Sequence, residues 1–125
     1  MILKKRTSIM NNDKYHINIA NDFTISPGGR YRKDGDHSGE EFCDDYLLPR
    51  VKEAITEAAA VTVDLDGTIG YGSSFLDEAF GGLQRKLKKE GKTAIGFIRL
   101  LSARRPHLIP IIEGIMNDVK DTDGN

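Results

Sequence analysis

Residues 61–83 read VTVDLDGTIGYGSSFLDEAFGGL, and this stretch decides the fold. Val61, Val63 and Leu65 alternate with Thr62, Asp64 and Asp66, which predicts a strand with one apolar and one polar face. Gly67, Gly70 and Gly72 end the run and permit a tight turn. Ser73 or Ser74 then stands where a helix N-cap belongs, and Asp77 completes a capping box with Ser74. Leu76, Ala79, Phe80, Leu83 and Leu87 follow at helical spacing. The pattern predicts a central strand over 60–66 and serine hydroxyls exposed at a positive helix end. In open α/β sheets, ligands collect at that end of a strand.

Working outward, Tyr15, Ile17 and Ile19 alternate with polar neighbours and predict a strand over 14–20. Residues 23–37, with Pro27-Gly28-Gly29-Arg30, form a loop in which Arg30, Arg32 and Lys33 surround Tyr31. Those cations suit a phosphate or an acidic partner. Ser38-Gly39-Glu40-Glu41 is a capping box, and Phe42, Tyr46, Leu47, Val51, Ala54 and Ile55 give the apolar side of the helix behind it. Pro49 falls inside that helix and should kink it. Cys43 in its first turn has no base nearby in sequence and reads as a buried bystander.

Downstream, Gly81 and Gly82 either let the next helix lie close to the sheet or break it. Gly91 ends that helix. A strand centred on Ile95-Gly96-Phe97-Ile98 follows, then a loop over 102–105 with two arginines. Leu108, Ile111, Ile112, Ile115 and Val119 predict a last amphipathic helix, with Pro106 or Pro110 near its first turn. Strands alternating with helices argue for an α/β domain with parallel neighbours.

The chain has 125 residues, enough for one domain, with 38% hydrophobic and 30% charged residues and a net charge of -1. We expect a basic and polar leader over 1–13, a single domain over 14–120 and a fraying tail over 121–125. Near-zero net charge gives no bulk attraction to nucleic acid or to an acidic membrane. One cysteine excludes an internal disulfide, and the scattered His16, His37 and His107 show no metal-ligand spacing. Apolar runs are too short to span a bilayer, and a cytoplasmic protein without cofactor is the expectation.

Gly70-Tyr71-Gly72 lacks the third glycine of a dinucleotide loop, and Gly91-Lys92-Thr93 lacks the first glycine of a Walker loop. Asp64-Leu65-Asp66-Gly67-Thr68 resembles the first motif of haloacid-dehalogenase-like phosphatases. That resemblance implies a nucleophilic Asp64, an Asp66 that handles the leaving-group proton, and a magnesium ion bridging them. Two carboxylates at a strand end suit a hard cation. It is the alternative reading, because no downstream lysine with paired aspartates follows.

Pro27-Gly28-Gly29-Arg30, Ser38 to Phe42, Val63 to Gly67 and Gly72 to Glu78 resemble the STAS-like domain family, a prokaryotic family of poorly defined function. The resemblance spans about Tyr15 to Val119 and implies a small α/β domain, a mixed sheet with helices chiefly on one face. More distantly, the chain is similar to the STAS domains of anti-sigma-factor antagonists. On that pattern Ser73 takes the place of the phosphorylated serine and Ser74 the second serine, while Gly72 replaces an aspartate and Phe75 a glycine. The resemblance implies a non-enzymatic, regulatory domain whose partner is a histidine-kinase-like ATPase, bound around Gly72, Ser73 and Ser74. A third reading holds a small anion between the helix end and Arg30, with Arg32 assisting.

Overall fold

A computed structural model describes residues 14–120. The expected leader and tail lie outside the described residues. β1 (His16–Asn18), β2 (Val61–Asp64) and β3 (Ile98–Leu101) form a sheet in the order β1-β2-β3, with both pairings parallel. The expected mixed sheet is thus a parallel one among the described residues. The cause is local: β1 and β2 are each followed by a helical crossover, which returns the chain to the same end of the sheet. β2 is the central strand, as its alternation requires.

β1 is shorter than the alternation over 14–20 predicts. The Asn18 side chain accepts from the Asn21 N–H at 2.8 Å and caps a short helix, α1 (Ile19–Asp22). An asparagine that satisfies an orphan helix donor overrides the apolar alternation. β3 starts later than expected, because Gly96 has φ 90° and cannot sit in a strand.

The helix α2 runs over 39–57, and Ser38 Oγ accepts from the Glu41 N–H at 3.0 Å. Glu41 reaches back one residue further than the box predicts, to the His37 N–H at 3.2 Å. Pro49 does not break α2. Its ring would clash with the carbonyl four residues back, and the helix widens into a π turn over Cys43–Leu47 just before it. α3 runs over 73–89 with a second π turn at Asp77–Gly81, so Gly81 and Gly82 do not break it either. Gly81 lies against α4 (Leu108–Asn117) and not the sheet. A Cβ there would stand 3.2 Å from Ile115 Cγ2.

α2 and α3 pack on each other over one face of the sheet. Ile17, Val61 and Val63 point into the core with Phe42, Leu47, Val51, Phe75, Phe80, Leu83 and Leu87. Burial of these apolar side chains is the main favourable term of the fold. On the other face, His16, Thr62 and Arg99 form one row, and Asn18, Asp64 and Leu101 the next. These residues are half-buried or exposed. No helix among the described residues is long and apolar enough to cross a membrane.

Candidate functional site

The carboxyl ends of the three parallel strands bring four segments together: α1, the turn after β2, the start of α3 and the loop after β3. Asp66 joins two of them. Its carboxylate accepts from Ser102 Oγ at 2.7 Å, from the Ala103 N–H at 2.8 Å and from the Arg104 N–H at 3.3 Å. The Ser102 hydroxyl, then the Ala103 N–H, hold the Asp66 carboxyl below the usual aspartate range. Asp64, the last residue of β2, accepts from the Asp66 N–H at 3.0 Å. Sequence reading missed Ser102. The available signal was a serine directly after an apolar strand, where its hydroxyl also takes the Arg105 N–H at 2.9 Å.

The turn over 67–72 is pinned from several sides. Gly67 has φ 105°, and a Cβ there would meet the Ala20 Cβ at 2.8 Å, so α1 fixes this glycine. The Tyr71 hydroxyl donates to the Leu65 carbonyl at 2.7 Å, and burial pushes its pKa up to about 12. The Ile69 N–H donates to the Ile25 carbonyl at 2.8 Å, and Arg105 Nη2 donates to the Ile69 carbonyl at 3.4 Å. With its backbone held this way, Ile69 is 75% exposed and Ile25 59% exposed. Two branched apolar side chains therefore stand in water, one on the anchored turn and one on the loop that holds it.

The serines sit differently from the sequence expectation. Gly72 is the N-cap, with extended backbone at φ -78° and ψ 154°, and the Leu76 N–H bonds to its carbonyl at 3.2 Å. Ser73 is the first helical residue and Ser74 the second, and no side chain caps the helix. The helix starts one residue early because the glycine turn already aims its last carbonyl along the axis. Ser73 is exposed and Ser74 half-buried. Asp77 closes no capping box with Ser74. Its carboxylate instead pairs with Arg30 Nη1 at 2.5 Å.

Arg30 also lies 3.8 Å from Glu78, which Arg85 contacts at 3.1 Å. The loop that carries Arg30 is fixed by backbone bonds: Gly28 N–H to the His37 carbonyl at 2.8 Å, and Gly39 N–H to the Gly29 carbonyl at 2.9 Å. Arg32 goes elsewhere, to Asp45 on α2 at 2.9 Å, and Lys33 lies over the Tyr31 ring. The structure thus brings Arg30 to the second turn of α3 and separates it from Arg32.

Residues 38–99 match the family model described as a STAS-like domain of unknown function. This part of the chain belongs to the STAS-like domain family. No curated protein and no solved structure matches the chain. The STAS-like match opens at the Ser38 cap, takes in α2, β2, the glycine turn and α3, and ends inside β3. Asp64, Asp66, Ser73 and Ser74 lie within it, while Arg30 and Arg32 precede it. Cys43 lies inside it too, fully buried, with burial raising its thiol to about 12. No cluster of three or more His, Cys, Asp or Glu placed to hold a metal occurs among the described residues of the STAS-like domain.

Proposed function

We propose that this STAS-like domain is a regulatory, non-enzymatic module that binds a partner protein through the turn over 67–72 and the first turn of α3. The observation that supports it is the pair of exposed residues Ile25 and Ile69, whose backbones are joined by a hydrogen bond, on the loop after α1 and on the glycine turn that leads to exposed Ser73. Neighbouring apolar side chains on a rigid turn lose water without losing much chain entropy when a partner covers them. The partner in this proposal is a histidine-kinase-like ATPase, the class that the distant resemblance at Gly72 to Phe75 implies. Phosphate on Ser73 would add about -1.5 to -2 charge at the helix N-terminus. There it would face the partner and change its affinity.

The phosphatase alternative would need Asp66 to release its three loop donors before it could carry a leaving-group proton. No observation favours that route over the anchoring role. Hydrolysis of a simple phosphate ester with magnesium, lost in Asp64→Asn, would reinstate it.

The test is a titration of a histidine-kinase-like ATPase from the same genome against wild type, Ser73→Ala, Ser73→Asp and Ile69→Asp, with folding checked by thermal melts. Ser73→Asp and Ile69→Asp should weaken binding far more than Ser73→Ala. Equal affinity for all four, with intact folds, would place the binding surface elsewhere.

A further inference from the structure

A half-open cavity of about 450 Å³ lies beside β1, the end strand of the sheet, and is lined by exposed His16 and Asp22 and half-buried Tyr46 and Arg50. Its polar groups are poorly used by the protein itself. Arg50 makes a single long hydrogen bond, from Nη1 to the Tyr46 carbonyl at 3.5 Å, and no ion pair among the described residues. Asp22 accepts the Asn18 N–H through Oδ2 at 2.8 Å, which fixes the carboxylate and leaves Oδ1 for another donor. The Tyr46 ring is held by Phe23 and Phe42, with centroids 5.0 Å and 5.8 Å away. Arg50 and Asp22 thus share one cavity without pairing with each other.

We infer that this cavity binds a small zwitterion bearing both a carboxylate and an ammonium group, of the α-amino acid class. The Arg50 guanidinium offers a planar fork that matches a carboxylate. The free oxygen of Asp22 accepts from an ammonium. A ligand with both charges can pair with Arg50 and Asp22 at once, beside His16 on the same lining, whereas a simple anion or cation pairs with one and meets the like charge of the other. The volume lies in the range of small-molecule sites, about 300–1,000 Å³. The cavity shares no lining residue with the turn over 67–72 or with Ser73, and the assignment stands whether or not that surface binds a partner.

The experiment is an NMR titration of the full chain with each common L-α-amino acid in turn, and with acetate and methylammonium as single-charge probes. Resonances of Asp22, Tyr46 and the Arg50 side chain are followed. At least one amino acid should give saturable shifts there, with acetate and methylammonium binding at least tenfold more weakly. Arg50→Gln and Asp22→Asn should each weaken it at least tenfold while the melting temperature holds. The Asn side chain keeps the acceptor for the Asn18 N–H, so its fold is preserved. Absence of saturation by any amino acid, equal binding of acetate, or wild-type affinity in both variants would overturn the assignment.

Discussion

Gly39 and Phe75 mark the point where α2 and α3 meet backbone to backbone: a Cβ on Gly39 would lie 2.5 Å from the Phe75 carbonyl oxygen. The same Cβ would stand 3.1 Å from the Ala79 nitrogen, so neither obstacle is the end of a flexible side chain. The Gly39→Ala variant must push the helices apart. Overpacking of this kind costs about 1–3 kcal/mol. Urea unfolding should show that loss, and an unchanged midpoint would mean that the crossing is looser than described.

The two serine-bearing helix starts should respond differently to alanine. Ser38 is buried and its hydroxyl takes an orphan N–H, so Ser38→Ala should cost about 0.5–2 kcal/mol. Ser73 is exposed and caps nothing, so Ser73→Ala should stay within about 0.5 kcal/mol of wild type. Ser73→Asp places a negative charge in the first turn, where it stabilises by about 0.3–1 kcal/mol at low salt. Thermal melts of the three variants read all of this. A Ser73→Ala loss as large as that of Ser38→Ala would restore Ser73 as a cap.

Asp66 gives a pH signature. Its folded pKa is lowered, with Ser102 the largest cause, so its contribution to stability is present above the unfolded value and is lost as pH falls through the folded one. NMR titration of the carboxyl should place it below the ordinary aspartate value of about 3.9. In Ser102→Ala the pKa should rise toward that value and the loop over 102–105 should loosen. An Asp66 titration unchanged by that substitution would remove the anchoring role.

Cys43 should be inert. With its thiol raised to about 12 by burial, the native protein should react with a disulfide reagent at pH 8 only through opening of the fold. Guanidinium should restore fast labelling. Fast labelling of the native protein would show that α2 opens locally around its π turn.

Much of this fold was legible in the residues. The alternation from Val61 to Asp66 identified the central strand, and Ser38 identified the start of α2, because period and capping chemistry are local properties. β1 and β3 were misplaced where a single residue, Asn18 or Gly96, overrode an apolar run. The same holds at the candidate site. Ser73 was found, and its exposure with it, yet its position within the helix depended on the glycine turn. The partners of Arg30, Arg32 and Asp66 could not be read at all, since Asp77, Asp45 and Ser102 lie 47, 13 and 36 residues away. Phe42 with Leu47, and Phe75 with Phe80, are fully buried pairs five residues apart. That spacing fits the wider π turns and was the one sequence signal of them available.

Each π turn also acts as a phase setter for its helix. An α-helix advances about 100° per residue. A π turn accommodates one residue more than the α-helical ladder requires, so removing one residue from Asp77–Gly81 would let α3 close into a regular helix. With Leu83 and Leu87 still facing the sheet, everything before the deletion would swing by about that angle. Ser73 would move relative to the glycine turn, and Phe75 would leave the core. A shorter relative lacking the π turn would therefore present a different surface at the same strand end, on an otherwise similar scaffold.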